Sequence, residues 1–311
     1  MNEPTESDSG FRCGFVALAG RPNAGKSTLL NRMVGRHLAA VSPHPQTTRA
    51  RIRGVVNEDH AQIIVVDTPG MHRPRTLLGE RLNEVTAGAW SEVDLVCWCL
   101  AADERVGPGD RHLAGALAAA GAKAVVAVTK VDRVGRERVV EQLAAAQALT
   151  REAGLESVGF VPVSALTGWQ MGELADVLAD ALPPGPRLFD TDDVTDQSDE
   201  DLVAELIREA ALAEVREELP HSIAVTIDEM GFRAERPAER PLLDIHATIH
   251  VERASQKGIV IGHRGAHLRE TGTAARQGIE RLLGVPVYLN LHVRVAREWQ
   301  RDPKQLGRLG F

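Results

Sequence analysis

Apolar residues along the first 182 positions gather into short unbroken runs. FVALAG ends at Gly20, AQIIVVD at Asp67, DLVCWCLA near Ala101, AKAVVAVT at Thr129 and VGFVPVS at Ser164. Runs without alternating polar positions are expected for strands buried on both faces of a parallel sheet. Between them the apolar spacing turns helical. AGKSTLLNRMVG closes at Gly35, and Arg111–Ala120, Arg136–Ala153 and Gln170–Ala181 follow later runs. The alternation predicts a doubly wound, mostly parallel α/β domain over residues 11–182, with its site at the C-terminal strand ends.

The pattern then changes. PPGP at 183–186 cannot continue a helix and marks a boundary, followed by an acid-rich stretch read as a solvated linker, residues 183–197. Ser198 with Asp201 resembles a capping box. The helix it opens places Leu202, Val203, Leu206, Ile207 and Ala210 on one face and ends by Pro220. Beyond it the period becomes two. Ile223, Val225 and Ile227 alternate with polar positions, as do Leu243 to Val251 and Val287 to Val295, so these are strands buried on one face. A helical segment, Ser255–Arg281, lies between the last two and is interrupted by GHRG at 262–265. Residues 198–311 therefore read as a small α+β domain: helix, strand, strand, helix, turn, helix, strand.

Composition agrees with two soluble domains. Of 311 residues 43% are hydrophobic and 25% charged, which excludes whole-chain disorder. No run approaches a membrane span of roughly 18 apolar residues. MNEPTESDSG lacks the features of a secretory signal, and residues 1–10 read as a disordered tail. Cys13, Cys97 and Cys99 are too few for a disulfide framework, which fits a reducing cytoplasm. The net charge of −7 argues against a nucleic-acid partner, but it is unevenly spread. Residues 241–311 carry 11 Lys+Arg and 6 Asp+Glu, a net of +5, leaving −12 for residues 1–240. The basic end is the part suited to meet an anion.

The candidate chemistry lies at the ends of the predicted strands. Gly20–Ser27 reads GRPNAGKS, a complete Walker A pattern between a strand and a helix. Gly20, Asn23, Ala24, Gly25, Lys26, Ser27 and Thr28 form the candidate phosphate loop, its backbone N–H groups wrapping phosphates at a helix N-terminus. Lys26 would reach the β- and γ-phosphates and Ser27 would hold Mg²⁺. Asp67-Thr68-Pro69-Gly70 puts a carboxylate within reach of the metal shell, and the Gly70 N–H near the γ-phosphate. Thr129-Lys130-Val131-Asp132 supplies a carboxylate for guanine N1–H and the 2-amino group, with the Lys130 stem packed on the base. Such a pair discriminates against adenine by roughly 10⁴–10⁵. Ser164-Ala165-Leu166 ends the last strand, where a backbone N–H can meet guanine O6. Singly TKVD and SAL are weak signals; together, in order, they select GTP.

These residues resemble the GTPase superfamily and, within it, the Era family of bacterial ribosome-associated GTPases. The likeness spans almost the whole chain. It rests on GRPNAGKSTLLN, PQTTR at 45–49, DTPG, TKVD, SAL, LIREAALAEVREELPHS and KGIVIGHRG at 257–265. It implies that Thr48, with Thr47 the adjacent candidate, binds Mg²⁺ when the γ-phosphate is present. Lys26, Thr48 and Gly70 are then the catalytic set. Two positions depart from common GTPase patterns. Thr129 stands where Asn is usual, and Met71 stands where many regulatory GTPases carry a water-orienting Gln. Asn23 matches a P-loop Asn used by related GTPases to hold a monovalent cation, so K⁺ is a candidate there; a loop-stabilising amide is the plain alternative.

The GHRG turn, the α-β-β-α-α-β order and the local +5 charge together resemble a type II KH domain, which clamps about four nucleotides of single strand. Lys257, Gly258, Gly262, His263, Arg264, Gly265 and Arg269 are the candidate RNA contacts, with Arg276 extending the basic track. The resemblance implies single-stranded small-subunit rRNA near its 3′ end and the 30S ribosomal subunit as partners. We expect a cytoplasmic monomer, with peripheral contact at the inner face of the cell membrane left open. An RNA-binding assembly factor with GTP as a structural ligand is the alternative. A P-loop kinase is the third reading, and it leaves TKVD and the second domain without purpose. His246, His250 and His292 read as solvated sheet histidines, Cys97 and Cys99 as core, and Trp299 as packing of a terminus.

Overall fold

The computed structural model describes residues 10–42, 51–69, 76–213, 222–234, 236–237 and 240–309. They divide into two compact units, the first built mainly from residues up to Asp196 and the second from Gln197 onward.

The first unit is a six-stranded sheet. Strands β1 (Arg12–Ala19), β3 (Ala61–Asp67), β4 (Leu95–Ala101), β5 (Lys123–Thr129) and β6 (Glu156–Pro162) are parallel, and β2 (Ile52–Asn57) joins antiparallel to β3. The order is β2-β3-β1-β4-β5-β6. Every residue of β3 and β4 is buried, as their unbroken apolar runs require. Helices α1 (Lys26–Val34), α2 (Leu77–Ser91), α3 (Pro108–Ala119), α4 (Arg136–Ala153) and α5 (Met171–Ala181) complete the unit. Trp98 of β4 is fully buried and shares a core with Leu113, Leu117, Ala146 and Leu149 of α3 and α4. The sequence reading does not contain β2 or α2. β2 is a short edge strand whose apolar residues are split by Arg53 and Gly54, a weak signal.

The acid-rich stretch differs from the expected solvated linker. It is fastened along β2 and β3. Val55 N–H donates to the Val194 carbonyl (2.9 Å), Asn57 Nδ2 to the Thr191 carbonyl (3.0 Å), and Arg53 pairs with Asp196 (2.7 Å). Gln62, fully buried, accepts from the N–H groups of Leu188 (2.8 Å) and Phe189 (3.0 Å) and donates to the Phe189 carbonyl (2.9 Å). Backbone groups carry most of these bonds, so composition does not announce them.

The second unit follows the predicted order: α6 (Asp199–Ala213), β7 (Ala224–Phe232), β8 (Leu243–Val251), α7 (Ala254–Ile261), α8 (Ala266–Leu283) and β9 (Val287–Val295), then α9 (Pro303–Arg308). Ser198 caps α6, its hydroxyl accepting from the Asp201 N–H at 3.2 Å. β7 and β8 are antiparallel, β8 and β9 parallel. Ile245, Ala247, Ile249 and Val251 are fully buried in one core with Val203 and Ile207 of α6 and Ala275 and Ile279 of α8. The alternation in β7 breaks at a bulge between Ile227 and Glu229, so Met230 rather than Glu229 joins the core-facing set. One extra residue exchanges the two faces of a strand. Trp299 is fully buried and donates Nε1–H to the Ser222 carbonyl (3.1 Å), packing the terminal segment. Among the described residues no helix is long and apolar enough to cross a membrane.

Candidate functional site

In the first unit the candidate residues converge because β1, β3, β5 and β6 all point their C-terminal ends to one edge. The chain leaves β1 at Gly20, where a Cβ would lie 2.7 Å from the Cys99 carbonyl oxygen of β4, so no larger residue fits without displacing backbone. A turn follows, closed by Ala24 N–H on the Arg21 carbonyl (3.2 Å), with Asn23 in left-handed backbone at φ 62°. Gly25, at φ 90°, begins α1. No side chain caps that helix, so Ser27 and Thr28 sit in a first turn whose N–H groups face the loop.

Lys26 is buried, and its Nζ donates to the carbonyls of Gly20 and Arg21, both at 3.1 Å. Burial pushes its ammonium below the ordinary lysine value, opposed by the Asp67 carboxylate. Ser27 Oγ donates to Asp67 Oδ2 at 2.7 Å, which brings the two oxygen ligands read from sequence together. Asp67 is itself fully buried at the end of β3. The neighbouring Thr68 hydroxyl ties back to the Leu18 carbonyl (3.0 Å).

At the end of β5, Thr129 donates its hydroxyl to the Ala24 carbonyl at 2.7 Å. The residue that departs from the usual Asn is thus fastened to the phosphate loop. Lys130 has left-handed backbone (φ 58°), and its Nζ lies 3.5 Å from Asp103. Ser164 Oγ donates to Asp132 Oδ1 at 2.6 Å, so the SAL segment orients the TKVD carboxylate by a side chain. The Ser164 N–H is engaged by the Trp169 carbonyl (3.1 Å); the Ala165 N–H has no partner among the described residues. Leu166 is exposed. Thr47, Thr48, Gly70 and Met71 lie outside the described residues.

Two contributions escaped the sequence reading. Arg21 reaches Glu104 (3.0 Å) and the buried Asp110 (3.4 Å), bracing the loop against the segment that enters α3. The Arg32 guanidinium of α1 lies over Gly168, beyond the SAL segment. These partners are remote in sequence, and no local motif marks them.

In the second unit, α7 and α8 meet at the GHRG turn. Gly262 is at φ 72° and a Cβ there would lie 2.7 Å from His267 Cγ and 2.9 Å from its backbone nitrogen. Gly265, at φ 79°, has nothing within 4 Å of such an atom. His267 Nδ1 holds the Ile259 carbonyl at 2.9 Å, fixing the turn from behind. His263, Arg264 and Arg269 are exposed, as is the backbone at Gly258, and Lys257 is half-buried. Among the described residues none of these four side chains is ion-paired, whereas Arg276 pairs with Glu280 (3.0 Å). Beside the turn runs a groove of about 390 Å³ lined by Gly265, Leu268, Arg269, Thr273, Leu289 and Leu291. The periodicity assigns Leu289 and Leu291 only to the core; their partial exposure, with that of Leu268, adds an apolar wall to the basic turn. Among the described residues no cluster of His, Cys, Asp or Glu is arranged to hold a metal.

Comparison with known proteins agrees with this geometry. Residues 15–130 match the family described as 50S ribosome-binding GTPase, and residues 218–300 match the KH domain. The chain is 54% identical over 310 residues to GTPase Era of Streptomyces coelicolor, covering 99% of this chain and 97% of that one. It is 56% identical over 304 residues to GTPase Era of Mycobacterium bovis, covering 97% and 99%. A solved structure of an Aquifex aeolicus Era variant bound to GDP·AlF4− superposes with a TM-score of 0.90 at 36% identity, covering 96% of this chain and 99% of that one. A structure of Era with MgGDPNP and nucleotides 1506–1542 of 16S ribosomal RNA gives the same values. With near-complete coverage on both sides, this chain belongs to the Era family of GTPases.

Proposed function

We propose that the chain binds and hydrolyses GTP in its first unit, binds single-stranded small-subunit rRNA near its 3′ end through its second, and assists 30S assembly. In this reading residues 11–182 are the GTPase domain, 183–197 join the domains, and 198–311 are the KH domain. The observation that carries the nucleotide half is the Ser164–Asp132 hydrogen bond at 2.6 Å. It holds the base-reading carboxylate at the same sheet edge as the phosphate loop. Guanine then offers N1–H and the 2-amino group to Asp132, and O6 to the open Ala165 N–H. Lys26, desolvated and held by two carbonyls, gains its counter-charge from the phosphates.

Ser27 and Asp67 are hard oxygen donors close together, which suits Mg²⁺. When bound, the ion neutralises charge on the β- and γ-phosphate oxygens. Thr48, with Thr47 the adjacent candidate, is assigned to Mg²⁺ and the Gly70 N–H to the γ-phosphate on motif alone. Asn23, in the left-handed turn of the phosphate loop, is assigned to K⁺ on motif alone, and equal turnover in K⁺ and Na⁺ at matched ionic strength would remove that assignment. For RNA, the exposed His263, Arg264 and Arg269 and the backbone at Gly262 and Gly265 meet phosphates, while the leucine-walled groove takes bases.

Replacing Asp132 by Asn is expected to shift preference from GTP to XTP. Exchanging His263 and Arg264 for Asp should abolish rRNA binding at physiological salt. Single-turnover hydrolysis with and without rRNA separates a switch from an RNA-binding factor that only stores GTP. Retained GTP preference in the Asn variant, or undiminished RNA affinity in the double variant, overturns the corresponding half.

A further inference from the structure

The turn from Arg21 to Ala24 is gripped at both ends by side chains outside the stretch that wraps phosphates or by contacts reaching away from it. Its backbone is sharply bent, with Asn23 in the left-handed region that asparagine tolerates better than most non-glycine residues. At the start of the turn, the Arg21 guanidinium bonds Glu104 and Asp110, and its stem packs on Gly109. Asp110 is buried and also accepts from the Gly107 N–H at 2.8 Å, so it is a fixed anchor. At the end, Thr129 Oγ1 donates to the Ala24 carbonyl at 2.7 Å, from a side chain that is almost fully buried. The Arg21 carbonyl in turn holds the Lys26 ammonium. A movement at either end therefore displaces both Asn23 and Lys26.

We propose that Arg21 and Thr129 are positioning residues that clamp this turn and set how long the chain retains its nucleotide. The inference rests on the nucleotide reading above and extends it to two side chains assigned no phosphate contact. It also gives Thr129 a defined role, since a hydroxyl is enough to hold Ala24, whichever polar group other GTPases place there.

The test is release of a fluorescent GDP analogue, followed by stopped flow at fixed Mg²⁺ and salt, alongside thermal unfolding of the nucleotide-free proteins. Thr129→Val keeps the side-chain shape and strands the Ala24 carbonyl; release should quicken about tenfold. Thr129→Ser restores the donor and should stay within about twofold of the parent. Arg21→Met keeps the stem and should release about fivefold faster. Because the turn is held only when both ends are held, the double variant should stay within about twofold of Thr129→Val. Independent contacts would multiply to about fiftyfold, and that result overturns the clamp. So does release at the parent rate in either single variant, or a Ser variant as fast as the Val variant. Faster release matched by a proportionate loss of nucleotide-free stability would reduce the two residues to general packing and also overturn it. If the parent protein retains no GDP, the nucleotide reading fails with the clamp; if it does and the variants are unmoved, the clamp alone fails.

Discussion

The first unit keeps its candidate site inside the fold, and the second displays its own. Lys26, Asp67, Thr129 and Ser164 are all less than a tenth exposed, and each is held by a hydrogen bond from another strand end or loop. His263 and Arg264 stand in solvent on an interhelical turn and Arg269 near the start of α8, and only the backbone beneath the turn is fixed. The difference follows from the ligands proposed. A nucleotide has one charge pattern and one base, and buried, preorganised groups can select it at no later cost in reorganisation. A single strand has a repeating charged backbone with free torsions, and exposed cations with long stems can follow it. Specificity should therefore fail through small shifts in the first unit and through lost access or charge in the second.

The strongest way to break that contrast is to disturb the backbone where each site allows no side chain. Gly20→Ala drives a Cβ against the Cys99 carbonyl, and that backbone cannot yield without moving β4. Displacements near 1 Å cost about a hundredfold in a positioned site, so GDP affinity measured by calorimetry should fall at least that far. RNA affinity should remain within about twofold of the parent, because the substitution touches only the first unit. Loss of both activities together would show that the units are not separable in this sense.

Gly262→Ala is the matching test in the second unit. The new atom meets the His267 ring and backbone while the residue keeps φ 72°, so the turn must open. RNA affinity should fall about tenfold or more, with GTP turnover unchanged. Gly265→Ala carries only the backbone penalty of about 1–2 kcal/mol, since no atom lies in its way. Equal losses at the two glycines would show that flexibility, not close approach, is what the turn requires.

The strap along β2 sharpens the comparison from another side, because it is a buried polar arrangement with no ligand to meet. Gln62→Ala would leave the N–H groups of Leu188 and Phe189 and the Phe189 carbonyl without their partner. The expected cost is about 1–3 kcal/mol, read as faster amide exchange at residues 188–196. Gln62→Glu should recover part of it, since a carboxylate still accepts from both N–H groups. Unchanged exchange in the Ala variant would mean that the ladder from Val55 to Asp196 holds the strap unaided.

How much of this is legible in the sequence depends on whether a signal is local. Buried parallel strands announce themselves in VVAV and IIVV, and GRPNAGKS and GHRG carry their geometry in their spacing. Ser164 with Asp132, Thr129 with Ala24, and Arg21 with Asp110 are joined by chain crossovers of 32, 105 and 89 residues, so no window contains both partners. The strap is legible only as acidic composition, because backbone groups do most of the bonding. In β7 the alternation holds as far as Ile227, and the two consecutive acids Asp228 and Glu229 at the bulge shift the next core-facing residue to Met230, which a period of two does not anticipate. Thr48, with Thr47 as its alternative, and Gly70 rest on motif alone and lie outside the described residues.

A weaker perturbation, pH, distinguishes the units without a substitution. His250 of β8 is half-buried, with Nε2 3.0 Å from Thr226 Oγ1. Burial lowers its pKa below the ordinary 6.5; Asp228 opposes this, and Arg294 and Arg308 add to it. The folded state therefore resists protonation, while the unfolded chain takes up a proton as pH falls through about 6.5. Stability of the second unit should be complete above that value, decline below it, and level off once the folded imidazole is charged as well. Asp228 also accepts from Thr248 at 2.6 Å, so the four groups form one polar patch on the sheet. His250→Gln keeps a polar partner for Thr226 and removes the titration. Unfolding of the second unit followed between pH 7.5 and 5 should then lose part of its slope, and an identical slope in the variant would assign the pH dependence to groups elsewhere in the unit.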